Sequence, residues 1–330
     1  MTMSGPNHMT RSLLLAVASL CLPMVSAAAE IKTLAQADTL AFPPGELRTE
    51  RVLDREALEA VGIRRPARLA FDADGNLHVL DAETRHVVKL DPHGKLLYDI
   101  GGYGQDETSL ELPVDIAVDR DQSLLVLDRG RGALVAFDRA GRFLGQRLFQ
   151  GAAAEEAREA GARILLDRFG KLWLLSAHDR DLTALDDRLM PARATRYLMP
   201  EESLRAPLAA AISRDGEVWI YDAGRAALLR FDPSGRLTLT QPLGRPATIA
   251  DLGVDRAGYL YAADRTMQEI KGCGDGLDGL ATLRVLGGDR IPWRPGALCI
   301  GPSRQIAVAD PDRPEIQILT PQPKPLGTGP

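Results

Sequence analysis

Apolar and polar positions alternate in short runs from Pro66 to Gly104 (PARLAFDADGNLHVLDAETRHVVKLDPHGKLLYDIGGYG). One run ends at Asp72 before a turn closed by Gly75. A second ends at Asp81, a third reaches Leu90, and a turn closed by Gly94 leads into a fourth. Short period-two runs bounded by Asp and Gly turns predict strands joined by hairpins, here a four-stranded antiparallel meander.

The pattern recurs. The strand-end acid Asp81 is echoed by Asp128, Ser176, Asp222, Asp264 and Asp310, at intervals of 47, 48, 46, 42 and 46 residues. Nine residues before each lies Asp72, Asp119, Asp167, Ser213, Asp255 and Gly301; nine after lies Leu90, Phe137, Leu185, Phe231, Cys273 and Leu319. A period near 45 with four short strands per copy predicts an all-β, six-bladed β-propeller. A single four-stranded sheet cannot cover both its faces, so each blade must bury its apolar side chains against its neighbours.

The ends of the chain suggest how the ring closes. Glu46–Asp54 reads as a strand, whereas the sixth repeat lacks a fourth strand because Leu319 is followed by a Pro-rich tail. The N-terminal strand is therefore expected to complete the last blade, removing two free edges. The propeller is assigned to residues 46–320, with a leader over 30–45 and a disordered tail over 321–330.

Turn chemistry supports the hairpins. Asp72, Asp167, Ser213 and Asp255 cap first turns closed by Gly75, Gly170, Gly216 and Gly258, the Gly supplying the left-handed position. Repeats two and six carry Gln122 and Arg304 there, which predicts looser turns. Gly151–Gly161 has helix-forming composition and predicts a short rim helix. In repeat five the second turn becomes a Gly- and Asp-rich run from Gly272 to Gly279, read as an irregular loop in preference to a calcium loop.

Composition adds a compartment and excludes two partner classes. Arg11 precedes an apolar run from Leu13 to Val25 that ends in Ser26, Ala27, Ala28 and Ala29, the pattern of a cleaved export signal over 1–29. The expected location is the periplasm or the outside of a bacterium. The full chain carries a net charge of −5, and loss of Arg11 makes it −6; an acidic surface argues against nucleic-acid binding. No segment of the mature chain is apolar enough to cross a membrane as a helix. The remaining cysteines, Cys273 and Cys299, either form an inter-blade disulfide in an oxidising compartment or stay as buried thiols.

The repeats resemble NHL repeats. A Pro opens the innermost strand, an apolar-Asp-x-x-Gly turn follows, the next strand ends in Asp, and a second such turn leads to a Gly-rich link; this is followed from Pro66 to Gly104 and from Pro113 to Gly141, and more patchily from Ile164, Pro207, Pro246 and Pro295. The resemblance implies a six-bladed propeller. It implies little about activity, because such repeats commonly carry Arg five residues after the strand-end acid, where this chain has His86, Ala133, Asp181, Ala227, Glu269 and Glu315.

In a propeller the start of the innermost strand and the end of the second share one face, around the channel mouth. Four residues before each inner-strand end stand Arg68, Asp115, Arg163, Ala209, Asp251 and Ala297. Outside them each loop holds an arginine: Arg85, Arg131, Arg180, Arg225, Arg265 and Arg313. Trp293, in the link before the last blade, is either a stacking platform on the same face or a lid. These charges either receive a protein partner or an anionic glycan of the cell envelope, or satisfy one another between blades. The histidines His78, His86, His93 and His178 fall at different repeat positions, so they assemble no zinc site. The acids nearest to a metal cluster are Asp115 and Asp251. No cofactor is expected; calcium or zinc is the alternative, for a lactonase or lyase working in the channel. A third reading is a structural part of an envelope assembly.

Overall fold

Five complete four-stranded antiparallel sheets or their equivalents follow the predicted register in the computed structural model, which describes residues 44–177, 180–196, 204–243, 247–273, 280–286 and 294–323. Blade one consists of Pro66–Phe71, Leu77–Asp81, His86–Leu90 and Leu96–Gly101, innermost strand first. Blades two to five begin at Pro113, Arg163, Pro207 and Ile249, and blade six contributes Ala297–Ile300, Ile306–Asp310 and Glu315–Pro323. The N-terminal strand Pro44–Leu53 closes blade six antiparallel to Glu315–Pro323, with Thr49 opposite Leu319 and Arg51 opposite Ile318. The protein is a six-bladed β-propeller. Among the described residues no helix is long and apolar enough to cross a membrane.

The core is divided among the seams between blades. Leu69, Val79, Val88, Ala307 and Ile316 pack together between blades one and six, and Leu127, Leu134, Ile164, Leu174 and Leu185 between blades two and three. The second strands are buried along their whole length, as expected of strands covered on both faces. Trp173 and Trp219 are buried packing residues.

Two sequence expectations are corrected here. Gln122 and Arg304 adopt the left-handed conformation with φ of 65° and close their turns on Asp119 and Gly301 at 3.1 Å, the same closure Gly75 makes on Asp72. Those turns are therefore not looser, and the strain of about 1 kcal/mol that a side chain pays there is absorbed. The final strand runs to Pro323, so Thr320–Pro323 belongs to the sheet, held by Arg48, Leu47, Glu46 and Pro44. Residues 1–43 and 324–330 lie outside the described residues, as do Trp293, His178 and most of the Gly- and Asp-rich loop.

Three elements break the repeat. Arg55–Ala60 forms a helix, α1, capped by Asp54 through the Ala57 N–H at 3.0 Å and anchored by buried Leu58. Ala152–Glu156 forms a second, α2, within the stretch expected to be helical. Blade five ends in a two-residue fourth strand, Ala281–Thr282; the chain then lays Arg284–Leu286 parallel against Pro44–Leu53, so that blade six gains a fifth strand.

Candidate functional site

The strand-end acids are structural knots. Asp81, Asp128, Asp222, Asp264 and Asp310 are all fully buried. Asp81 accepts N–H bonds from Arg64 and Arg65, in the link before the innermost strand, and from Glu83 and Thr84, in the loop after the second strand, the last three at 2.8 Å. Burial alone would push this carboxyl up, but the N–H groups of Thr84, Arg65, Arg64 and Glu83 outweigh it and hold Asp81 below the ordinary range. Asp128, Asp222 and Asp310 repeat the arrangement on their own links and loops. Blade three has Ser176 instead, and Glu159 supplies the missing carboxylate, accepting from the Ser176 hydroxyl at 2.9 Å.

Inside this ring of knots, the structure brings together the four charged residues predicted at the channel mouth. Asp115 lies between two arginines, with Arg68 Nε 3.4 Å from Oδ1 and Arg163 Nε 3.0 Å from Oδ2. Arg163 then reaches past the small side chain of Ala209 in blade four to Asp251 of blade five, Nη2 to Oδ1 at 2.9 Å. The acids also accept backbone N–H bonds from the following blade: Ile164 on Asp115 at 2.8 Å and Leu298 on Asp251 at 3.0 Å. Burial opposes the charge of Arg163, but Asp115 and Asp251 more than offset it, and its pKa rises above that of an ordinary guanidinium. Burial and the like charge of Arg163 lower that of Arg68. Asp115, Arg163 and Asp251 line a cavity of about 240 Å³ together with aliphatic residues such as Leu69, Ile116, Leu165 and Ile212.

This geometry bears on the metal alternative. Asp115 and Asp251 bracket the Arg163 guanidinium, and all four carboxylate oxygens are engaged by arginine or backbone N–H groups. A cation between them would have to displace a buried arginine. Among the described residues no three His, Cys, Asp or Glu side chains stand close enough together to hold a metal ion.

The outer arginines sit on the channel-mouth face, and most are engaged locally. Arg85 stacks 3.9 Å over the Tyr103 ring and donates to the Glu111 carbonyl. Arg225 lies 2.8 Å from Asp222, Arg131 3.6 Å from Asp128, and Arg265 2.6 Å from Asp312. Arg313 is tied by its backbone N–H to Asp310, and Arg180 occupies a left-handed turn position with φ of 56°.

Cys273 and Cys299 are not joined in a disulfide. Cys273 packs against the core between blades four and five, Cys299 against that between blades six and one, so the two sulfurs serve different seams. Cys299 also lines the channel, where burial and then the charge of Asp251 push its thiol well above the ordinary range.

One site was missed. His86 and Asp99 lie diagonally on adjacent strands, His86 being opposite Gly101 and Val88 opposite Asp99, and His86 Nδ1 stands 2.6 Å from Asp99 Oδ1. With Glu59 of α1, Gly62 just after it, Arg64 and Thr84, they line a polar cavity of about 530 Å³. Gly102 makes room for the ring, since a Cβ there would meet His86 Nε2 at 2.3 Å. The available signal was that His86 stands where NHL repeats, which these repeats resemble, commonly carry arginine; what was invisible was the helix that walls the cavity.

No protein-family model matches the chain, and no curated protein does either. Solved structures do. A streptogramin B lyase aligns with TM-score 0.60 at 11% identity over 78% of this chain and 95% of its own. Virginiamycin B lyase from Staphylococcus aureus aligns with TM-score 0.61 at 10% identity, covering 83% and 99%. Hydrazine synthase from Kuenenia stuttgartiensis aligns with TM-score 0.54 at 12% identity, covering 80% and 97%. At such identities the likeness extends to the fold alone.

Proposed function

We infer that this chain is an exported, NHL-like propeller of the bacterial envelope that works without catalysis, as a rigid disc presenting a face to a protein partner or an anionic glycan. The observation that carries this reading is the closed charge cluster of Arg68, Asp115, Arg163 and Asp251. The acids that would have to act as base or metal ligand in the channel are already committed to arginine and backbone N–H groups, and the one other reactive group lining it, the Cys299 thiol, is held protonated by burial. The outer surface, rich in loops on rigid strands, is the part of the molecule available for recognition.

The purified mature protein, supplied with calcium or zinc, is expected to turn over no member of a lactone and ester panel, and, immobilised, to retain one envelope component in near-stoichiometric amount. Turnover that disappears in Asp115→Asn would overturn the reading.

A second reading has its own observation. The Asp99-held imidazole of His86, in a cavity large enough for a small molecule, is an arrangement suited to a general base, and two of the similar structures are lyases. This reading predicts an activity that His86→Ala removes while the fold is kept.

A further inference from the structure

Four exposed arginines that make no ion pair with a described residue share the opposite face of the disc. The first hairpin turns of blades two, three, four and five each place an arginine directly after the capping residue: Arg120, Arg168, Arg214 and Arg256. All four are exposed, and none makes an ion pair with any described residue. The reason lies in the turn. One oxygen of each cap is spent inside: Asp167 Oδ1 accepts from the Phe169 and Lys171 N–H groups at 2.8 and 2.9 Å, Asp255 Oδ1 from Ala257 and Tyr259 at 2.9 and 3.0 Å, and Ser213 Oγ from Glu217 at 3.0 Å. The cap thus faces its own backbone and leaves the next side chain to the outside.

The arc is interrupted in the remaining blades. In blade six Arg304 is held by Asp255 at 2.8 Å, and in blade one the turn carries Asp74, which lies 3.5 Å from Arg139. The centre of the arc is Phe169, 69% exposed, with the Arg168 guanidinium 4.5 Å over its ring. Arg120 leans across from blade two to within 3.8 Å of where a Cβ on Gly170 would stand, which places it at the same turn. An exposed aromatic flanked by arginines is the composition of an interface hot spot.

We propose that the hairpin face over blades two to five, centred on Phe169, docks a protein partner through an acidic surface with an apolar centre. The proposal rests on the binding reading above and names its face. A protein is favoured over a membrane or a polyanionic chain because the arc has both signs: Asp121 and Asp215 stand exposed in the same turns as Arg120 and Arg214. A uniformly anionic surface would be repelled at those two points, whereas a protein can match them in register.

The test uses the full chain in the bacterium that makes it, with benzoylphenylalanine at position 169 on the hairpin face or at position 103, where Tyr103 is exposed on the channel-mouth face. A discrete protein adduct from position 169 is expected. Its yield should fall by at least about tenfold in Arg168→Glu/Arg214→Glu, whose four-charge change abolishes complementarity, and hold in Arg205→Glu on the other face. Circular dichroism of the purified variants verifies their fold. An adduct from position 103 alone overturns the assignment of the face and leaves the binding reading standing; no adduct from either overturns both. An adduct only to a second copy of the chain, to lipid or to glycan, or one indifferent to the charge reversal, overturns the proposal.

Discussion

The two faces of the disc carry arginine in similar abundance and use it differently. On the channel-mouth face the loops are built around buried carboxylates, so an arginine three residues past the strand-end acid folds back onto it, as Arg225 does on Asp222. On the hairpin face one oxygen of the capping carboxylate turns inward to its own backbone and the other, where it pairs, serves another strand or blade, as Asp72 serves Lys89 and Asp255 serves Arg304, so the arginine beside the cap is left over. Availability of a charged side chain therefore depends on which way the nearest carboxylate faces. Counting arginines in a sequence does not reveal this.

The contrast is sharpest in Arg163 against Arg168. Arg163→Met leaves buried Asp251 without its ion pair and Asp115 with Arg68 alone, and loss of one partner from such a cluster costs about 3–5 kcal/mol; urea unfolding should record a drop of that order. A loss below about 1 kcal/mol would mean that the channel cluster does not clasp the blades. Acidification should produce the next largest effect, through a group buried in blade one. His78 is buried with Asp72 at 3.7 Å and the Tyr98 hydroxyl at 3.1 Å, and Lys89 lies 2.9 Å from Asp72. Burial above all, with Lys89, lowers the pKa of His78, while Asp72 raises it less. The unfolded chain therefore takes up a proton more readily below about pH 6.5, and stability falls as pH drops through that range. Asp72 is itself held below the ordinary carboxylate range: burial opposes this, and bonds from His78, Asn76 and Lys89 prevail. Its contribution is present above about pH 3.8 and is lost as pH falls further. Urea midpoints at pH 7.5 and 5.0 should differ, and His78→Leu should flatten the difference.

Smaller effects complete the comparison. Arg225→Ala removes a largely buried pair to an acid that keeps its backbone bonds, and should cost about 1 kcal/mol. Arg168→Ala touches no ion pair and should stay within about 0.5 kcal/mol by thermal denaturation. If these two are reversed in rank, the division of labour between the faces is wrong.

The blades were legible because their signal is local: each turn has its own cap, and each second strand its own apolar run. The channel residues were legible too, since a fixed count along the innermost strand selects the side facing the axis. Their partnership was not, because Arg163 meets Asp251 by skipping a blade whose contribution is an alanine. The fate of the cysteines was hidden for a related reason, as residues on neighbouring blades can face different seams. Helix α1 and the strand Arg284–Leu286 escaped notice because neither repeats. The arginines of the hairpin turns were in plain sight, but spacing says nothing about which way the nearest carboxylates face.

The parallel strand Arg284–Leu286 alters the timing of ring closure. Joining the two ends of a propeller is a contact of high sequence separation, slow to find in a growing chain. Here the N-terminal strand has a docking edge that is synthesised before any strand of blade six, three register pairs from Glu46 to Arg48. The strand Pro44–Leu53 can thus be parked beside blade five while the last blade is still being delivered, and Glu315–Pro323 arrives to find its partner already held in place.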